Sequence, residues 1–176
     1  MSRAFVKEAD GDDRIPERPR RRHSDLPNYI TPRGKHSLRD RIERLAQERV
    51  IVAAQAENLN RKSELLGIDE DLDYLRERLQ RAILVPPPPR PWETVEVGAS
   101  IEFIDTHGEI YQFTIVGEDE IDVALGQISW TSPLGRAVLR RSVGDAVTWP
   151  RPIGDLEVEI LSITYKNCSV QSDLDS

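Results

Sequence analysis

The sequence predicts an α+β chain: an N-terminal antiparallel coiled-coil hairpin, then a small antiparallel sheet carrying one helix. Three observations predict it. Two apolar seams of similar length run through residues 37–85 with spacings that alternate between four and three. A run of four prolines, Pro86 to Pro89, closes the helical region. Beyond it, short stretches alternate apolar and polar residues between turn-forming sequences, the period-two signature of half-buried strands.

Residues 1–28 read as a solvated tail rich in Ser, Asp, Arg and Pro, with RPRRRH at Arg18–His23. It holds too little apolar surface to offset the entropy of ordering. Residues 29–85 are expected to form the hairpin. Leu38, Ile42, Leu45, Arg49, Val52, Ala56 and Leu59 make the first seam; Ile68, Leu72, Leu75, Leu79 and Ala82 make the second. Both follow the a/d rule of paired helices. Each helix is polar off its seam, so neither has a second face to bury, and the pair is expected to project from the rest of the chain. Pro32 suits a helix start and Ser37 is a candidate N-cap. Arg49 falls on the seam, where its stem can pack while its head reaches water.

The hairpin's tip has two readings. Symmetry about the paired seams puts the turn at residues 57–64, with Glu57, Asn58, Asn60, Arg61, Lys62 and Glu64 at the tip. Capping chemistry offers another break, with Gly67 ending one helix and Asp69, Glu70 and Asp71 opening the next. The second reading would place three carboxylates at the end of the rod.

Residues 86–91 are expected to be a stiff Pro-rich linker. Residues 92–166 read as the β-rich domain. Ser100–Ile104 and Ile110–Val116 alternate about a turn signal at Asp105–Gly108. Residues 116–120 lead into a loop, and Ile128–Trp130 is a short strand. At Ser132-Pro133 the serine is an N-cap and the proline takes the first helical position. Ala146–Trp149 and Leu156–Tyr165 supply two more strands, the last with a slip near Leu161-Ser162. Residues 167–176 read as a polar tail.

Composition bounds the function. Of the 176 residues, 38% are hydrophobic and 31% charged, against usual values of ~45–50% and ~25%. No apolar run nears the ~18 residues that span a bilayer. One cysteine, Cys168, forbids an internal disulfide framework, and His23, His36 and His107 lie too far apart for a metal motif. A soluble cytoplasmic monomer without an intrinsic cofactor or metal is expected. The net charge of −7 hides a gradient: +3 over residues 1–36, −1 over 37–85 and −9 over 86–176. An acidic C-terminal half is a poor phosphate binder, so any contact with nucleic acid is expected to run through a protein partner. No nucleophile–base pair or phosphate-cradling glycine loop points to an enzyme.

Three stretches resemble the bacterial GreA/GreB transcription elongation factors: Tyr29-Ile-Thr-Pro-Arg-Gly34; Ile115-Val-Gly-Glu-Asp-Glu120; and Ile128-Ser-Trp-Thr-Ser-Pro-Leu-Gly-Arg-Ala137, followed by Val143-Gly-Asp145 and Ile160–Tyr165. The resemblance spans about residues 28–166. It implies an N-terminal coiled coil and an FKBP-like C-terminal domain. It further implies that the C-terminal domain docks on RNA polymerase, with Trp130, Thr131, Ser132 and Pro133 at the contact, while the coiled coil enters the secondary channel. In that family acidic tip residues help hold a catalytic Mg²⁺, and the polymerase's own site then cleaves backtracked RNA.

This sequence departs from the family at the tip, where the run Gly-Asp-Leu-Ser-Glu-Asn-Ala-Glu-Tyr has no counterpart. Arg61 and Lys62 place positive charge where it would oppose a cation. The hairpin is also shorter by about one heptad per arm, or ~10 Å. The expected function is a polymerase-binding regulator of elongation without efficient cleavage stimulation. Its alternatives are an active cleavage factor using Asp69, Glu70 and Asp71 with Mg²⁺ shared with the polymerase, or a relative of the regulator of nucleoside diphosphate kinase.

Overall fold

The computed structural model describes residues 24–165. The basic head at Arg18–His23 and the polar tail at 167–176 lie outside the described residues. The chain begins with a two-residue strand, β1 (Tyr29–Ile30), and helix α1 (Pro32–Ala53). Helix α2 (Leu59–Gln80) returns alongside it to strand β2 (Ile83–Leu84). Each helix has 22 residues, a length of about 33 Å at 1.5 Å per residue.

Thr31 caps α1: its hydroxyl accepts the Gly34 N–H at 3.0 Å, and Pro32 takes the first helical position. Ser37 therefore lies inside the helix and is not the cap. Between the helices, Leu38, Val52, Ile68, Leu72 and Leu75 are buried on the seam, with Ile42, Leu45 and Leu65 partly buried beside them. Arg49 occupies its seam position by reaching across to Asp69, which accepts both Nε and Nη2. The helical turn lies at 54–58, and α2 runs unbroken through Gly67. The seam ends at Val52; Leu59, expected to continue it, is exposed at the start of α2.

The second unit is a five-stranded sheet in the order β5-β4-β3-β7-β6. Its strands are β3 (Ala99–Asp105), β4 (Ile110–Val116), β5 (Gln127–Ser129), β6 (Ala146–Trp149) and β7 (Leu156–Tyr165). The sheet is mixed: β5 pairs parallel to β4, because two 3-10 turns, Glu118–Glu120 and Val123–Leu125, carry the chain back before it rejoins the edge. The remaining pairs are antiparallel. The expected slip in the last strand is a bulge: Glu102 faces Ser162 while Phe103 faces Ile160, which leaves Leu161 unmatched. One face is covered by α3 (Pro133–Val138). Val95, Ile101, Phe103, Ile115, Val138 and Ile160 fill the core at 0% exposure.

The hairpin stands on the sheet domain by its base. β1 and the first turn of α1 meet the 3-10 turn at 118–120. β1 and β2 pair in parallel, Tyr29 with Ile83 and Ile30 with Leu84, so both ends of the hairpin are clamped together where they join the domain.

Candidate functional site

Three places bear on function: the tip, the Ser-Pro loop and the joint between them. At the tip, α1 ends in a turn through Ala54 and the chain reverses by Asn58. The Asn58 side chain accepts the Arg61 N–H at 2.7 Å and so caps α2. Arg61 folds back over the turn, its Nη1 donating to the Gln55 carbonyl at 2.9 Å. Lys62 Nζ lies 3.3 Å from Glu57. Of the six predicted tip residues, Glu57 and Asn58 lie in the turn, while Asn60, Arg61, Lys62 and Glu64 form the opening turns of α2. Val50, Ile51 and Leu59 stand exposed around them.

Asp69, Glu70 and Asp71 do not form a tip. They lie in the middle of α2, eleven or more residues past Asn58, about 16 Å down the rod. Asp69 is held by Arg49 from the facing helix. Helix formation carries straight through Gly67 because Ile68, Leu72 and Leu75 bury against α1, and packing outweighs the ~1 kcal/mol cost of a helical glycine.

In the Ser-Pro loop, the Ser132 hydroxyl accepts the Gly135 N–H at 3.0 Å and Pro133 opens α3, exposed. Thr131 is tied down by Ser129: its N–H donates to Ser129 Oγ at 3.0 Å and the two hydroxyls lie 2.7 Å apart. Trp130 has a different setting. Its ring meets Tyr29 of β1 edge-on, centroids 5.1 Å apart, and it packs against the sheet core. Its indole N–H is buried without a partner among the described residues. Trp130 thus joins the two units from inside, and Pro133 is the member of the four that faces outward.

The joint is built on charge. Arg78, near the end of α2, is 4% exposed. Its Nε lies 2.9 and 3.0 Å from the two Asp119 carboxylate oxygens; its Nη2 donates to Asn28 Oδ1 at 2.6 Å and to Glu118 at 3.3 Å. Asn28 completes the ring by donating to the Arg78 carbonyl at 2.9 Å. Burial pulls the Arg78 pKa down, but the Asp119 hydrogen bond and charge outweigh it and leave the guanidinium above its ordinary value. Beside this ring, Glu120 accepts the Thr31 N–H at 2.9 Å and the Thr31 hydroxyl, and it also takes the Gly117 N–H at 3.3 Å. One acidic turn thereby grips both ends of the hairpin. An open cleft of about 270 Å³ remains next to it, between Thr31, Pro87, Ser100 and Gln127.

A model of the C-terminal domain of the GreA/GreB transcription elongation factors matches residues 90–165. Transcription elongation factor GreB of Neisseria meningitidis serogroup B is 35% identical over 153 residues, covering 78% of this chain and 94% of that protein. The chain belongs to the GreA/GreB family. Transcription elongation factor GreA 1 of Lactiplantibacillus plantarum is 31% identical over 149 residues, with 77% and 95% covered. Among solved structures, GreA/GreB from Nitrosomonas europaea is similar at 27% identity, covering 78% of this chain and 98% of that one, with a TM-score of 0.41. The GreA factor homolog 1 of Thermus thermophilus is similar at 24% identity, covering 79% and 99%, with a TM-score of 0.39.

The tip of this GreA/GreB factor does not fit a magnesium ion. Mg²⁺ asks for hard oxygen ligands converging in near-ideal octahedral geometry. Glu57 is taken by Lys62, and the Arg61 guanidinium covers the same turn. Glu64 is the other carboxylate at this end, while Asp69 lies about 16 Å down the rod, paired with Arg49. No cluster of three metal-ligating side chains occurs among the described residues.

The joint was not legible as a site. Glu118-Asp119-Glu120 reads as a polar loop, and Arg78 reads as one more charge off the α2 seam. The usable signal was the position of an acidic triplet at the end of a strand in a chain that also carries Thr-Pro at a helix start, since a carboxylate can take both the N–H and the hydroxyl of a capping threonine.

Proposed function

We propose that this GreA/GreB factor binds RNA polymerase through its C-terminal domain, reaches into the secondary channel with the hairpin, and modulates elongation without efficient stimulation of RNA cleavage. The observation that carries the reading is the tip. Glu57 lies beside Lys62, Arg61 folds over the same turn, and Asp69 is down the rod with Arg49, so the end carries Glu57 and Glu64 beside two cations where the family's chemistry needs a converging set of carboxylates. A rod about 33 Å long, clamped at its base, is suited to occupying a channel and excluding another hairpin from it. Direct binding to nucleic acid is not needed, since the polymerase holds the RNA.

The test is a cleavage assay on backtracked elongation complexes. The protein alone is expected to leave the RNA length unchanged over a period in which a cleavage-active GreB shortens it. Added in excess, it is expected to slow GreB-driven cleavage by competition. Robust shortening by this protein alone would refute the reading. A variant sharpens it: Lys62→Ala removes the cation beside Glu57, and no cleavage is expected to appear, because Glu57 and Glu64 without a third ligand do not make an ion site.

A further inference from the structure

The sheet domain, residues 92–165, has thirteen acidic residues and four basic ones. Three of those four, Arg136, Arg140 and Arg141, fall within six residues at and just after α3, and all three are exposed. None makes an ion pair with another described residue, although the domain around them is rich in carboxylates. Arg136 follows Pro133 by three positions on α3, so the two share a helix face.

The backbone at Arg140 adds an independent observation. Its φ is +62°, the left-handed region that glycine enters freely and a long side chain enters at a cost. The conformation is imposed from both sides: the Arg140 N–H donates to the Val95 carbonyl at 2.8 Å, and the Val95 N–H donates to the Arg141 carbonyl at 2.8 Å. Glycine would take this conformation at less cost, and the arginine that stands here is exposed. What the arginine adds is charge, next to two others of the same sign.

We propose that Arg136, Arg140 and Arg141 form a cationic docking patch for a carboxylate-rich segment of a protein partner. Charge complementarity fixes the class. A nucleic-acid strand carries phosphate along its whole length and would run over a domain whose net charge is −9, whereas a short acidic segment of a protein confines its charge to the patch. The proposal deepens the docking reading above, by naming the chemistry of the contact beside Pro133, and it rests on that reading only for which partner brings the carboxylates.

The full-length protein and the triple variant Arg136→Gln, Arg140→Gly, Arg141→Gln are titrated with a fluorescent decaglutamate peptide and, separately, with a ten-nucleotide single-stranded DNA, each at two salt concentrations. The wild type is expected to bind the peptide about tenfold more tightly than the variant at low salt, with the difference shrinking as salt rises. Equal peptide binding by the two proteins overturns the patch, and so does tighter, arginine-dependent binding of the DNA. Arg140→Gly alone is expected to melt at or above the wild-type temperature while losing part of the peptide affinity; a lower melting temperature would show that the side chain holds its own loop and would overturn the strain argument. Titration of RNA polymerase with Pro133→Ala separates the two readings. Polymerase binding weakened by Pro133→Ala, with peptide binding equal in wild type and triple variant, keeps the docking and removes the patch. Arginine-dependent peptide binding by a protein that does not bind polymerase keeps the patch and removes the docking.

Discussion

Gly117 follows β4 and lies against β1. A Cβ built there would sit 2.0 Å from the Tyr29 carbonyl oxygen, and because that atom is backbone, no rotamer change can relieve the clash. Gly117→Ala is expected to push β1 off the domain and destabilise the protein by about 2 kcal/mol, within the range for overpacking, read as a lower midpoint in a denaturant titration. A midpoint within error of wild type would show that the base yields without cost. Gly135 meets the same limit from the other side of the Ser-Pro loop, where a Cβ would lie 2.3 Å from the Ser129 carbonyl oxygen. Asp105 supplies the pH-sensitive residue. It turns the β3–β4 hairpin by accepting the His107 and Glu109 N–H groups at 2.8 and 2.9 Å. Desolvation pushes its pKa up, but these hydrogen bonds outweigh it and hold the carboxyl below its ordinary value. A depressed carboxyl stabilises the fold above the unfolded value of about 3.9, and that stabilisation is lost as pH falls through the folded value. Asp105→Asn is therefore expected to cost stability at pH 7 and to flatten the acid limb of the stability profile, measured by thermal melts from pH 7 to 2.5; an acid limb as steep as wild type would count against the assignment.

At the scale of elements, the hairpin was the most legible part because its signal is long and redundant. Every seam residue from Leu38 to Val52 and from Ile68 to Leu79 faces the partner helix or lies beside it. The same periodicity misled at its end. Ala56 and Leu59 keep the spacing, yet the chain has already turned, because a run of threes and fours does not register where backbone hydrogen bonding stops. Asn58 held the missing information, as its side chain could cap a helix beginning at Leu59. β1 and β2 were illegible for another reason: a two-residue strand has no period, and its pairing depends on the hairpin bringing Asn28 and Ile83 together. The parallel pairing of β5 is likewise set by the 3-10 turns before it and not by any pattern within Gln127–Ser129. The end of the seam is testable. Leu72→Ala, at 2% exposure, is expected to cost about 2–4 kcal/mol. Leu59→Ala, at 59% exposure, is expected to change stability by less than about 0.5 kcal/mol. Comparable losses for the two in urea titrations would mean that Leu59 is buried in solution and that the rod extends further than the turn at 54–58 allows.

For the whole molecule, the hairpin's length makes its base decisive. A rotation of 10° at the joint displaces the end of a rod this long by about 6 Å, more than any contact at the tip tolerates. The joint has an open cleft beside it, and beyond the Tyr29–Trp130 ring contact its direction is set by a few polar groups. Arg78 is the central one, since it binds Asp119, Glu118 and Asn28 at once. Arg78→Met keeps the apolar stem but leaves the partly buried Asp119 without its cation, a loss that approaches the ~3 kcal/mol of breaking a fully buried pair. Asp119→Asn with Arg78 intact retains a hydrogen-bonding partner and is expected to cost less. The structural readout is the distance distribution between spin labels placed at the exposed positions Leu59 and Ile153. Wild type is expected to give one narrow distribution, and Arg78→Met a broad one at temperatures where circular dichroism shows both units still folded. A narrow distribution in Arg78→Met would mean that the β1–β2 clamp and the Thr31–Glu120 contact aim the hairpin unaided, and the acidic turn at 118–120 would then reduce to a helix-capping device.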